Sequence, residues 1–231
     1  MKRTEPHVVY EDNHLLIVCK APGEIVQGDK TGDEPMVDSL KRWIKQKHDK
    51  PGNVFLGLVN RLDRPVGGLV IFAKTSKALT RMNKLLQEGA IRKIYLAIVT
   101  DCPPRHADRL IHHLVRRESQ NKSYAYDTAR SMSKRAELSY RHLASAERYH
   151  LLEVELYTGR HHQIRCQLSS IGLPIKGDLK YGAPRSNSDG SIGLLSYQLS
   201  FVHPVGGQEL RLYAPIPDDK LWRDLVRQIK H

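Results

Sequence analysis

The sequence predicts an α+β fold in which a largely antiparallel or mixed β-sheet is flanked by helices. Short apolar runs of strand character outnumber amphipathic helical stretches along the chain. Neither an internal repeat nor a low-complexity linker divides it, and 231 residues are compatible with one large domain, so residues 1–231 are read as a single domain. Hydrophobic residues make up 40% of the chain and charged residues 27%, a balance that fits a globular protein rather than a disordered or membrane one.

The elements follow in order. "HVVYED" and "HLLIVCK" read as two early strands around a turn-like "EDN", and "KAPG" ends the second. In "EPMVDSLKRWIKQKHDK", Met36, Val37, Leu40 and Ile44 recur at helical spacing until "KPGN" stops the pattern. "VFLGLV" and "GLVIFAKT" are apolar enough for two buried strands. "SKALTRMNKLLQEG" then predicts an amphipathic helix with Ser76 as N-cap, Ala78, Leu79, Met82, Leu85 and Leu86 on one face, and Gly89 at its end. The strand "IRKIYLAIVT" comes next.

Residues 103–135 are rich in Arg, Lys and His with small apolar islands, a pattern that predicts short strands and loops on a basic surface. "AELSYRHLAS" and "YHLLEVELYTG" predict an antiparallel pair that turns Leu151, Val154 and Leu156 to the core. A helix is expected over "RHHQIRCQLSSIG", stopping at Gly172 with Pro174 beyond. "LLSYQLSFVHP" and "QELRLYAP" supply further strands. The chain closes on the amphipathic helix "DDKLWRDLVRQIK", whose stripe is Leu221, Trp222, Leu225, Val226 and Ile229.

Charge narrows the partner. Lys and Arg total 37 against 25 for Asp and Glu, so the net charge of +12 attracts a polyanion, and nucleic acid is the expected partner. Cys19, Cys102 and Cys166 are far apart and form no C-x-x-C pair, which points away from a disulfide framework or a cysteine zinc site and toward a reducing compartment. No run of about 18 apolar residues occurs. A cytoplasmic, monomeric protein without signal peptide or membrane span is expected.

One stretch, "NRLDRPVGG" at 60–68, lies between two predicted buried strands, where catalytic side chains are commonly displayed. It sets Asp63 between Arg61 and Arg64. A nearby cation favours the ionised form of a carboxylate, so Asp63 is a candidate nucleophile or base. Gly67 and Gly68 allow a sharp turn or a close approach of the backbone to a nucleotide.

That stretch resembles the R-L-D loop of the RluA-type RNA pseudouridine synthases, and the resemblance continues in order. It runs through "KIYLAIV" at 93–99, "GRHHQIR" at 159–165, "GDLKYG" at 177–182 and "LSFVHP" at 199–204, covering about residues 8–215. It implies a pseudouridine-synthase-like fold and the isomerisation of uridine in structured transfer or ribosomal RNA, with no metal or organic cofactor. The resemblance makes Asp63 the catalytic carboxylate, either attacking C1′ or removing the C2′ proton to give a glycal. Tyr95 is implied as the group that stacks on uracil or moves a proton, and Arg165 as the ion-pair partner of Asp63.

Arg61 is expected to hold RNA while the target base is flipped from its stack. Arg64, Arg160 and His161 are further candidate RNA contacts. No S4-like domain is expected ahead of the catalytic region, so docking is expected on the segment 103–135, with Arg105, Arg109, Arg116, Arg117 and Lys122 meeting phosphates.

Departures from the family pattern are Asn60 where His is usual, Val66 and Gly67 where Thr-Ser is common, and "LLSYQLSF" without a His-Ala pair. They bear on hydrogen bonding in the catalytic loop. A metal is not expected, because the twelve histidines include no H-E-x-x-H, and His161 and His162 on a helix would point about 100° apart. Arg165 is expected to leave the buried helical stripe of Ile164, Leu168 and Ile171 and to face a cleft. The rival from another class is a non-catalytic RNA-binding or chaperone protein on the same fold; a glycosidase with paired carboxylates lacks an evident second acid.

Overall fold

The computed structural model describes residues 5–28 and 31–229. Among these are eleven strands and four α-helices, an α+β architecture. Two compact units divide the chain, one of residues 1–91 with 198–215 and the other of 92–197 with 216–231.

In the first unit, β1 (Val8–Glu11) and β2 (Leu15–Lys20) form an antiparallel hairpin. Its turn is fixed by Asp12, whose Oδ1 accepts from the backbone N–H of His14 and of Leu15, both at 2.7 Å. β2 pairs antiparallel with β4 (Gly67–Ala73), every residue of which is buried, and the two-residue β3 (Gly57–Leu58) lies on the other side of β4. Most of "VFLGLV" is therefore loop rather than strand. The end of β10 (Leu194–Val202) pairs with β11 (Glu209–Tyr213).

Helix α1 (Met36–Lys47) buries Met36, Leu40 and Ile44 against Leu16, Val18, Val70 and Phe72, as its spacing predicts. Glu11 ties its C-terminal end to the sheet through Lys47 and His48, and also pairs with Lys74. Helix α2 (Ser76–Gln87) is capped by Thr75, whose hydroxyl accepts from the N–H of Ala78 at 3.1 Å. The predicted cap, Ser76, is instead the first helical residue, because Thr75 still has extended dihedrals and so points its oxygen back over the open turn.

The second unit is built on β5 (Arg92–Val99), β9 (Tyr149–Leu156), β8 (Lys134–Ala146), β6 (Ala107–Arg117) and β7 (Lys122–Tyr126), hydrogen-bonded in that order, each pair antiparallel. The basic segment expected as short strands and loops thus holds one long strand and a hairpin. Inward-facing His112 between Leu110 and Leu114 breaks the apolar alternation that would have announced it.

Helix α3 (Gln163–Ser170) packs on β6 and β7, and α4 (Lys220–Val226) on β8 and β9. The closing helix is shorter than its sequence pattern, and Lys230 at the end of that pattern lies outside the described residues. Trp222 and Leu225 are buried, with Asp219 as N-cap accepting from the N–H of Trp222 at 3.1 Å.

Candidate active site

In the first unit, the loop between β3 and β4 carries Asp63. Its first leg is stitched to β4 twice: Val59 N–H donates to Ile71 O at 3.0 Å, and the side chain of Asn60 accepts from Ile71 N–H at 2.8 Å. The asparagine that departs from the family pattern thus extends the pairing with β4 through its side chain just beyond the end of β3. Arg61 is exposed, Leu62 packs on the core around Phe72, and Asp63 is half-buried. A turn then closes, with Val66 N–H donating to Asp63 O at 3.0 Å.

The glycines that follow do separate work. Gly68 has φ +113°, where side chains are rarely tolerated, and a Cβ on Gly67 would sit 3.3 Å from the Pro22 ring and 3.4 Å from Lys20 O. Arg64 turns its guanidinium to Asp33 Oδ2 and Thr31 Oγ1, both at 2.7 Å.

Beneath this loop lies a residue that sequence reasoning passed over. Lys20, at the end of β2, is 1% exposed. Its Nζ donates to the carbonyls of Ala21 at 2.9 Å, Arg64 at 3.0 Å and Val66 at 2.7 Å. Three N–H bonds match three acceptors, and two of those acceptors belong to the Asp63 turn. Burial drives the Lys20 ammonium down to about 8, opposed by the negative charges of Glu24 and Asp63. The remaining carbonyl link, Gly23 N–H to Arg64 O at 2.8 Å, ties the same turn to the segment after β2.

In the second unit, Tyr95 is buried in β5 opposite Val154 of β9. Arg165 sits in the first turn of α3 and is 5% exposed, contrary to the expected outward orientation. The reason is that α3 is not a one-sided helix: residues 163–168 are all buried, so leaving the Ile164 stripe does not lead to solvent. Arg165 Nε and Nη2 instead donate to Asp178 Oδ2 and Oδ1 at 2.6 and 2.8 Å, a fork-to-fork pair.

Asp178 opens "GDLKYG" and is 2% exposed. The same motif supplies Tyr181, whose hydroxyl accepts from Ser123 N–H at 2.8 Å and lies 3.1 Å from His162 Nδ1. Burial pushes the Tyr181 phenol up. Nearby, the Cys166 thiol, directed at Ser123 O, is pushed up to about 12, also by burial.

The histidine pair is corrected as well. α3 begins at Gln163 rather than Arg160, and His162 adopts φ +52° as its N-cap residue. Gln163 sets that start: its Oε1 accepts from Arg160 N–H at 2.9 Å and Thr158 Oγ1 at 2.8 Å, so the chain loops over its side chain before coiling. His161 and His162 therefore precede the helix, and their rings stack with centroids 3.8 Å apart. Arg160 Nε donates to Arg135 O at 3.0 Å, and His161 Nδ1 lies 2.9 Å from Ser123 Oγ. Among the described residues no group of three or more His, Cys, Asp or Glu side chains could hold a metal ion, and no helix is long and apolar enough to cross a membrane.

Comparison with known proteins agrees with the sequence pattern. A family model described as RNA pseudouridylate synthase matches residues 14–170. The ribosomal large subunit pseudouridine synthase D of Zymomonas mobilis is 31% identical over 224 residues, spanning 92% of this chain and 69% of that protein. Its counterpart in Yersinia pestis is 30% identical over 237 residues, spanning 96% and 70%. Among solved structures, human RNA Pseudouridylate Synthase Domain Containing 4 superposes with a TM-score of 0.78 at 23% identity over 96% of this chain and 92% of that one, a likeness of fold.

Proposed function

The chain belongs to the RNA pseudouridylate synthase family and is an enzyme that isomerises uridine in RNA to pseudouridine, and from that premise we propose that Asp63 carries the reaction. What supports the assignment is the loop itself: a half-buried carboxylate in a turn whose backbone is fixed from below by Lys20. In the isomerisation the N1–C1′ bond breaks, the uracil rotates, C5 bonds to C1′, the C5 hydrogen departs as a proton and N1 takes one up. Atoms balance without an added reagent.

Asp63 acts beside the ribose, either by attacking C1′ or by removing the C2′ proton to give a glycal, and both routes need the charged carboxylate. Deuterium at C2′ separates them, since a primary isotope effect attends only the second. Tyr95 stacks on the uracil or relays a proton. Arg165 orients Asp63, a role that suits a planar guanidinium, whose fork of donors matches the geometry of a carboxylate.

Arg61 holds the RNA while the target nucleotide is flipped out, with Arg64, Arg160, His161, Arg116 and Arg117 as backbone contacts. The substrate is a structured transfer or ribosomal RNA, and the names of the two bacterial relatives favour ribosomal RNA. The protein acts as a cytoplasmic monomer without metal or organic cofactor.

The test is single-turnover pseudouridine formation on ribosomal RNA from cells lacking the gene. Asp63→Asn is expected to lower the rate by on the order of 10⁴-fold while leaving RNA binding intact. Near wild-type turnover by that variant overturns the assignment. A non-catalytic RNA binder predicts instead that the wild-type protein itself converts nothing.

A further inference from the structure

Cations of the second unit occur in two settings. Across part of the sheet they are already matched: Arg92 pairs with Glu155 at 2.9 Å, Arg141 with Glu153 at 3.1 Å, and Arg109 and Arg135 both with the buried carboxylate of Glu137. That neutralisation removes Arg109 from the phosphate contacts its sequence context suggests. Arg105 likewise pairs with Asp108 at 3.2 Å.

The β6–β7 hairpin and the turn after it are different. Arg117 rests over the ring of Tyr124 at 4.9 Å, Arg130 over Tyr126 at 3.8 Å, and Lys122 lies 5.5 Å from the Tyr124 ring and 5.1 Å from that of Tyr181. The carboxylates here are peripheral. Glu118, 83% exposed, reaches Arg116 only at 4.0 Å, and Asp127, 96% exposed, lies 3.7 Å from His112.

The hairpin is also anchored. Tyr124 donates its hydroxyl to Gln120 at 2.6 Å, Lys180 Nζ donates to Asn121 O at 3.1 Å, and Asn121 Oδ1 lies 3.1 Å from His161 Nε2. The turn is thereby fastened to the segment that leads into α3 and Arg165. Cations that are placed before a ligand arrives lose less freedom on binding it, and a guanidinium held over a ring is already positioned to meet a phosphate or a base.

We propose that this hairpin is the docking surface for an unpaired stretch of the RNA substrate, with Arg117, Lys122 and Arg130 meeting phosphates and bases stacking against the tyrosine-backed groups. The proposal rests on the synthase reading and names the form of RNA it takes. Planar groups interleaved with cations suit a strand whose base faces are open, whereas an A-form duplex keeps those faces covered and offers mainly its backbone and 2′-hydroxyls.

Fluorescence anisotropy with a labelled single-stranded RNA oligonucleotide, alone and annealed to its complement, tests this across a salt series. For the single strand, Arg117→Gln with Arg130→Gln should weaken binding and lower the slope of log affinity against log salt by roughly 1.4, since each phosphate contact contributes about 0.7. Tyr124→Leu with Tyr126→Leu should weaken binding about tenfold or more with an unchanged slope, because stacking releases no counterions. Arg92→Gln with Arg141→Gln should change neither. Both arginines of the first pair are exposed, so that variant reads the surface even where the tyrosine pair melts early.

Wild-type affinity and slope in the arginine pair, an equal loss of slope in the Arg92 and Arg141 control, or equal binding of duplex and single strand by the wild type would each overturn the proposal. Failure of the synthase reading is separate: it is seen as no pseudouridine formed by the wild type in total cellular RNA.

Discussion

The Asp63 loop and the Arg165 segment each rest on a buried cation, and they hold it in opposite ways. Lys20 is enclosed by three backbone carbonyls, which accept its protons but leave its charge uncancelled, so the nearest carboxylates act on it through space. Arg165 is met by a buried carboxylate that takes one edge of its fork. An ammonium with three splayed donors is suited to gathering backbone, and a planar guanidinium is suited to fixing another planar group. The first arrangement shapes a loop; the second fixes the orientation of a side chain.

The most severe way to break this comparison is Asp178→Asn. It removes the charge of the buried carboxylate that Arg165 grips with two donors, which costs about 3–5 kcal/mol and should appear as a large drop in melting temperature along with lost pseudouridine formation. Removing the other cation should act differently. Lys20→Met withdraws the donor from the Asp63 turn but introduces no uncompensated charge, so activity should fall by roughly 10²-fold through misplacement of the carboxylate while melting changes far less than in Asp178→Asn. Equal melting losses in the two variants would show that the distinction is wrong.

Acidity sharpens it further. A neutral lysine has two N–H groups for three carbonyls, so wild-type turnover should decline as pH rises above about 8, and Lys20→Met should lack that limb. Stability moves the other way. The Lys20 pKa is about 8 in the folded chain against 10.5 ordinarily, so the unfolded chain holds more protons between these values and this residue's contribution to stability rises across that window. Turnover and melting temperature, measured on the same samples from pH 7 to 10, should therefore diverge.

The smallest effect is expected at Glu11, where a carboxylate faces two lysines and a histidine at a wetter site. Burial raises its pKa, but hydrogen bonds from Lys47, Lys74 and His48 outweigh that and bring it down to about 2 from 4.5. Its stabilisation is fully present above pH 4.5 and is lost as pH falls toward 2. Glu11→Gln should cost about 1 kcal/mol at pH 7 and flatten the acid limb of a melting series.

Periodicity explains what was legible. The apolar run of β2 and the stripe Met36, Leu40, Ile44 were readable because each buries one repeating set of positions. β6 was not, since His112 takes an inward position that pattern reserves for apolar residues, satisfied there by Gln167 at 2.9 Å. Lys20 reads as a surface lysine closing a strand, because its acceptors come from residues 44 and 46 positions onward. Arg165 reads as outward-facing because an amphipathic helix keeps one exposed face, which the first turns of α3 lack. Asp63 could be singled out in the sequence because its neighbours are local; Asp178 stood in a quoted motif without a role, since its partner lies 13 residues earlier and is met only in the fold.

β7 is the last strand in the order of its sheet, so among the described residues its outer side has no strand neighbour. An open strand of this kind can recruit a second molecule into intermolecular β-pairing, and charge is the usual guard against it. The positive groups along the β6–β7 hairpin therefore protect colloidal behaviour as well as any ligand they meet: like-charged copies repel one another at the side where self-association would begin. Neutralising them trades one property against the other, and light scattering of concentrated Arg117→Gln, Arg130→Gln protein should register growth of particles that the wild type resists.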